Sequence, residues 1–314
     1  MLDDTRLITS VNTFGTDLFQ SVSKSNTDEK IFFCPSAILS SLSETHVSKL
    51  VTEKFHLDEN ENVDQCLFNF KNDTINDIRI DTVGTFERSD SIDTIQEMKL
   101  ATCSYFKGAW LKPFDRSQTE KRPFFNNGDS KNPVQVDFIS RWNHGHDVSK
   151  PGAYDFKVTT IRIPLKSGLS LIIFTPSTNL DMEKFESQFS PQLVNDLVDD
   201  LSFMLLKVVS IPKFSVCSNL QLNNPLMKIF GAENFSQSKN YEPGESVINE
   251  SLISRAKIVV DEEGSEGVPP KEIYVAKNSF NVANKPSVIV DRPFIFLIRN
   301  NSGLILFMGK INAL

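Results

Sequence analysis

The last sixty residues constrain this chain more than any other part. Two short apolar runs, Arg292-Pro293-Phe294-Ile295-Phe296-Leu297-Ile298 and Leu304-Ile305-Leu306-Phe307-Met308-Gly309-Lys310, flank the turn sequence Asn300-Asn301-Ser302-Gly303. Apolar runs of this length bounded by Asn, Ser and Gly predict a buried β-hairpin. Upstream, the strand-like segment Lys257-Ile258-Val259-Val260 passes into Asp261-Glu262-Glu263-Gly264-Ser265-Glu266-Gly267 and then into a long polar run. A strand, a glycine-punctuated stretch, a polar tether and a hairpin thus follow one another in this tail.

The rest of the composition suits a soluble protein with a real core. The chain has 314 residues, 39% of them hydrophobic and 23% charged. Its 25 Phe against 4 Tyr and 2 Trp predict a phenylalanine-rich interior rather than a base-stacking surface. A net charge of -7 supplies no basic face for phosphate, so no nucleic-acid partner is expected. The longest apolar runs, such as Leu171-Ile172-Ile173-Phe174, fall short of a bilayer span, and no membrane partner is expected. The start, Met1-Leu2-Asp3-Asp4-Thr5-Arg6, lacks a basic and apolar leader, which points to the cytoplasm, with the extracellular space as the alternative. Cys34, Cys66, Cys103 and Cys217 are scattered without CxxC spacing and are expected as free thiols.

Along the chain, Val11, Phe14, Leu18, Phe19 and Val22 recur at helical spacing. Ile31-Phe32-Phe33-Cys34-Pro35 predicts a short strand entering a helix at proline. Between Glu44 and Asp93 the signal is poor apart from a helix around Val47 to Phe55. Strands are predicted at Leu100 to Phe106, Val134 to Phe138, Lys157 to Leu165, Leu169 to Phe174 and Phe203 to Phe214. Ser190-Pro191 opens a capped helix continuing through Leu193, Leu197 and Leu201. The elements keep no regular βαβ beat, so one mixed α+β domain over residues 1–314 is expected.

Other constellations carry little. His144-Gly145-His146 lacks a third metal ligand at sensible spacing and reads as two histidines in a polar turn beside Trp142. No metal or cofactor is expected. Nucleophile elbows and phosphate loops are missing, so no catalytic residues are assigned and the chain is not expected to be an enzyme.

Four stretches, in order, resemble the serpin family: Asn12 to Phe19 with Ile31 to Ser36; Tyr105-Phe106-Lys107-Gly108-Ala109-Trp110-Leu111-Lys112-Pro113-Phe114-Asp115; Ile211-Pro212-Lys213-Phe214 with Gly231 to Ser236; and the tail. The resemblance implies a large mixed sheet A with smaller sheets B and C and flanking helices. About half the span that members carry between Pro35 and Tyr105 is missing here, including the helix that covers sheet A. A polar gate under the opening of sheet A is expected as Ser, Ser, Asn and His, with a tryptophan at the top. The matching positions are Cys34, Ala37, Thr102 and Ser254, with Trp110 at the top.

The resemblance further implies a monomeric serine protease inhibitor whose exposed reactive loop, about residues 264–290, is bait for a target protease of the serine class, or a cysteine protease as the alternative. After cleavage the loop would insert into sheet A. The hinge maps to Glu263, Gly264, Ser265, Glu266 and Gly267, and family spacing puts the reactive bond at Asn278-Ser279, with Lys277 as the alternative bait. Beyond the hinge, Val268-Pro269-Pro270-Lys271-Glu272 replaces the small residues the family carries. Proline donates no ladder hydrogen bond. If Ser265 points inward after insertion, Lys271 does too, and a buried unpaired ammonium costs several kcal/mol. Slow insertion favours hydrolysis of the acyl-enzyme, so the alternatives are a protease substrate or a non-inhibitory binding protein.

Overall fold

The computed structural model describes residues 2–25, 30–43, 48–57, 77–88, 95–149, 154–231, 249–262 and 285–314. The amphipathic start forms α1 (Leu2–Ser25), followed by β1 (Ile31–Phe33), α2 (Pro35–Ser43) and α3 (Ser48–Phe55). Then come β2 (Asp77–Arg88), β3 (Ile95–Lys107), β4 (Glu120–Phe124), β5 (Val134–Ser149), β6 (Val158–Pro164) and β7 (Leu169–Pro176). Two helices, α4 (Asn179–Gln188) and α5 (Pro191–Asp199), precede β8 (Leu201–Pro212), β9 (Phe214–Gln221) and α6 (Asn223–Phe230). The last elements are β10 (Asn249–Val260), β11 (Ser287–Ile289), β12 (Phe294–Asn300) and β13 (Ile305–Ile311).

These strands make two sheets. A nine-stranded sheet runs β1-β13-β12-β7-β6-β5-β8-β11, with β4 paired to β5. A four-stranded sheet runs β2-β3-β10-β9 and is mixed: β3 and β10 are parallel, while the outer pairs are antiparallel. The α+β class is therefore observed. No helix among the described residues is long and apolar enough to cross a membrane.

The C-terminal hairpin explains why its sequence is continuously apolar. Alternate side chains of a strand face opposite ways. Ile295 and Leu297 join a core shared with α1 and the other helices, whereas Phe294, Phe296 and Ile298 join the core between the two sheets. The phenylalanine excess fills both cores equally, and in the inter-sheet layer its rings link the sheets. Phe32 stacks on Phe307 at 5.3 Å and Phe296 at 5.8 Å, and Phe214 of the mixed sheet meets Phe294 at 5.7 Å and Phe296 at 5.5 Å. Gly309 makes room for this layer, since a Cβ there would sit 2.3 Å from the Phe296 ring.

The opposite face of β9 and β10 meets solvent. Along β9, Phe214, Val216, Ser218 and Leu220 are buried while Ser215, Cys217, Asn219 and Gln221 are exposed. Arg255 and Lys257 of β10 project on that exposed face. Cys34, Cys103 and Cys217 are thiols rather than disulfides, and Cys66 lies outside the described residues.

Several sequence expectations need correction. The low-signal stretch contains the long strand β2, which is held by its antiparallel register with β3 from Asp77↔Lys107 onward. Leu201 starts β8 rather than ending a helix, and the strand expected from Phe203 to Phe214 is two strands separated at Lys213. His144 and His146 lie on β5, not in a turn, and His146 is buried. The exposed loop does not reach residue 290: residues 287–289 form β11 parallel to β8, and Val288 and Val290 are buried.

One polar side chain ties the two ends of the chain together. Buried Asn12 donates through Nδ2 to the Gly303 carbonyl at 2.9 Å and accepts from the Ile305 N–H at 2.9 Å. Asn12→Ala strips both partners from the hairpin turn and is expected to cost about 2–4 kcal/mol, read as a Tm lower by about 3–6 °C in a thermal melt.

Candidate functional site at the head of the mixed sheet

Strand β10 ends where the tether begins, and its last residues are held from three directions. The Trp110 indole N–H donates to the Asp261 carbonyl at 2.7 Å, and the Phe114 N–H donates to the Glu262 carbonyl at 3.0 Å. Lys107 Nζ lies 3.3 Å from the Asp261 carboxylate. The Glu262 side chain is buried, accepting from Thr119 Oγ1 at 2.8 Å and from Lys213 Nζ at 3.0 Å on Oε1, with Lys213 also 2.9 Å from Oε2. The segment 108–119 after β3 and the β8–β9 junction thus grip one end of β10.

That grip is itself well founded. Trp110 is 2% exposed and meets Phe114 edge-on at 5.5 Å. Leu111 N–H donates to the Pro164 carbonyl at 3.0 Å and Lys166 N–H to the Ala109 carbonyl at 2.8 Å, anchoring the segment to the nine-stranded sheet. Lys213 is aimed by its own N–H, which donates to the Asp137 carbonyl at 2.8 Å. Trp110 is accordingly core packing with one directed hydrogen bond rather than a ligand platform.

Below the head, β3 and β10 are direct parallel neighbours from Asn249↔Glu97 to Val259↔Lys107. Of the four gate positions, two meet across this seam: Thr102 Oγ1 donates to Ser254 Oγ at 3.0 Å, both residues being buried and paired in register. The other two sit at the start of α2, where Cys34 Sγ lies 3.5 Å from Ser36 Oγ and Ala37 is in the inter-sheet core. The substituted gate therefore keeps one polar tie across the seam.

Glu263, Gly264, Ser265, Glu266, Gly267, Lys277, Asn278 and Ser279 lie outside the described residues. What sequence reasoning missed is the anchor itself. Lys213 was visible within Ile211-Pro212-Lys213-Phe214 but only as a strand landmark; its pairing with Glu262 spans 49 positions. Nothing in the sequence around Thr119 signals its role.

Burial works to raise the Glu262 carboxyl, but hydrogen bonds from Lys213 and Thr119, its own backbone N–H and the Lys213 charge outweigh it and hold the group below its usual value. A lowered native pKa contributes stability above the ordinary glutamate value that is lost as pH falls through the lowered one. Glu262→Gln is expected to flatten the acid limb of a stability-versus-pH profile measured by urea unfolding. Lys213→Met leaves the buried carboxylate with Thr119 and its own backbone N–H but no cation, and is expected to cost about 2 kcal/mol in the same measurement at pH 7.

Comparison with known proteins places this geometry. The family profile described as "Serpin (serine protease inhibitor)" matches residues 72–314. Intracellular coagulation inhibitor 2 of Tachypleus tridentatus is 30% identical over 230 residues, covering 71% of this chain and 54% of the relative. Antithrombin-III of Mus musculus is 26% identical over 229 residues, covering 70% of this chain and 48% of the relative. The chain thus spans about half the length of the curated relatives it matches. Uncleaved ovalbumin superposes with a TM-score of 0.77 at 16% identity, over 98% of this chain and 100% of that one. With the profile matching residues 72–314, most of its length, the chain belongs to the serpin family.

Proposed function

We propose that this chain presents the tether from Gly264 to the start of β11 as bait for a target protease, with Asn278-Ser279 as the reactive bond and Lys277 as the alternative bait residue. The observation that carries the reading is the uninterrupted parallel ladder between β3 and β10, clamped at the end from which the tether departs. Attack by the protease nucleophile on the Asn278 carbonyl carbon forms the acyl-enzyme and releases the Ser279 amine. The freed hinge side then has one route into the sheet, between β3 and β10. Serpin loop insertion is an established example of strand addition. In this chain it requires breaking the β3–β10 ladder and the Thr102–Ser254 bond.

Insertion returns two ladders for one, yet Pro269 and Pro270 withhold two N–H donors and Lys271 brings an ammonium toward the core. Deacylation therefore competes well, and the chain acts chiefly as a cleaved ligand of its protease. Lys277 suits a serine protease with an acidic specificity pocket, and Asn278 suits an asparagine-directed cysteine protease.

Incubation with trypsin, chymotrypsin and an asparaginyl endopeptidase, followed by a denaturing gel and mass analysis, tests this. The expected result is cleavage after Lys277 or Asn278 with little SDS-stable complex, and a larger complex fraction for the triple variant P269A/P270A/K271A. Resistance of the tether to all three enzymes, with first cleavage elsewhere, would overturn the proposal. Insertion has its own readout. Cys103 is opposite Arg255 and Cys217 opposite Lys257, on the solvated face and on either side of β10. In a C66S background, spin labels on these two thiols are expected to separate by about 5 Å, one strand spacing, on insertion.

A further inference from the structure

Two histidines stand behind the head clamp, and their surroundings are unusual. Asn143, at φ 51°, is passed over in the β5–β8 pairing, which keeps one register through Trp142↔Val208, His144↔Leu206 and His146↔Met204. His144 and His146 are two apart on one strand and share a face, with ring centroids 5.3 Å apart. Gly145 between them faces the other way, where the Phe203 ring occupies the space a side chain would need. His144 Nδ1 lies 2.9 Å from the Gly145 carbonyl, a contact that calls for a proton on Nδ1. His146 is 4% exposed, and its Nε2 is buried with no partner among the described residues.

The charges facing this pair are mostly positive. Arg141 comes from the same strand and Lys112 from the segment after β3. Among the described residues Asp147 is the one carboxylate acting on His146, and Arg162 of β6 already holds it through both Nε, at 2.9 Å, and an Nη. Strand β8 offers only Met204 and Leu206 opposite the rings. Arg141 in turn packs its guanidinium 4.2 Å above the Phe114 ring and donates to the Lys112 carbonyl. Phe114 is the residue whose N–H holds the Glu262 carbonyl. Contacts therefore run from Arg141 through Phe114 to the end of β10, and the Arg141 charge acts on both histidines.

We propose that the His144–His146 pair is an acid-sensitive strut: protonation sets imidazolium against Arg141, displaces the guanidinium from Phe114 and Lys112, and loosens the grip of segment 110–114 on Glu262. Burial depresses both histidines, Arg141 and Lys112 depress them further, and His146 is pushed down to about 4. The native state therefore stays neutral where the unfolded chain, near 6.5, already takes up a proton. Stability from this site is complete above the unfolded value and falls as pH drops toward the native one. For one such imidazole the unfolding equilibrium shifts about thirtyfold between pH 8 and pH 5. The consequence for bait presentation rests on the function proposed above; the coupling itself does not.

Hydrogen exchange of the full chain at pH 7.5 and pH 5, normalised for intrinsic rates, separates the two. The expected result is a loss of protection at residues 110–114 and 258–262 about tenfold greater than in β12 and β13. That excess should vanish in His144→Gln/His146→Gln. Arg141→Met should raise exchange at 110–114 already at pH 7.5 and remove its pH dependence. Loss spread evenly over the molecule, or an unchanged local response in the histidine variant, would overturn the strut. Either result is independent of whether any protease is bound or trapped.

Discussion

The parallel ladder between β3 and β10 is the interaction on which the rest of the molecule turns. Each of these strands has its own antiparallel partner, β2 for β3 and β9 for β10. The mixed sheet is therefore two antiparallel pairs joined along one parallel seam. Parallel pairing is slightly weaker per residue than antiparallel pairing, so the weakest line in the sheet is this seam, the one the proposed insertion would open. The Thr102–Ser254 hydrogen bond closes it midway, and the Glu262–Lys213–Thr119 cluster with the Trp110 and Phe114 contacts closes it at the head.

The nine-stranded sheet is the fixed counterpart. Its C-terminal hairpin is buried on both faces, and aromatic rings connect it separately to the two halves of the mixed sheet. Phe106 of β3 meets Phe307 at 5.3 Å, whereas Phe214 of β9 meets Phe294 and Phe296. Each half therefore rests on its own ring contacts. Separation along the seam moves two supported units rather than peeling one sheet from a common core. The solvated front, with Arg255, Lys257, Asn219 and Gln221 exposed, adds no packing that spans the described halves.

How much of this was readable from sequence depends on the range of the interaction. The hairpin was legible because burial on both faces leaves a continuous apolar run, and α5 was legible because Ser190 caps it while Pro191 fits its first turn. Strand β2 was not, since its sequence, Asp77–Arg88, mixes charges with a mid-strand glycine and its strand character comes from the ladder with β3. The histidines misled because His-Gly-His with a neighbouring Asn reads as a turn, whereas the ladder with β8 draws the segment into a strand. For the candidate site, Trp110 and the Thr102 and Ser254 positions came from motif order. The anchor that gives Glu262 its environment came only from the fold, because Thr119 and Lys213 lie 143 and 49 positions away.

Asn12 and β1 carry a consequence for biosynthesis. Strand β1 pairs with β13 from Ile31↔Lys310 to Phe33↔Met308, and Asn12 bonds to residues 303 and 305. The ladder of β1 and both bonds of Asn12 thus wait for residues almost the whole chain away, 291 and 293 positions for Asn12. Contacts this far apart in sequence are slow to close and leave apolar surface uncovered meanwhile. While the ribosome is still at work, β1 waits without its β13 ladder and Asn12 without either bond to the hairpin turn.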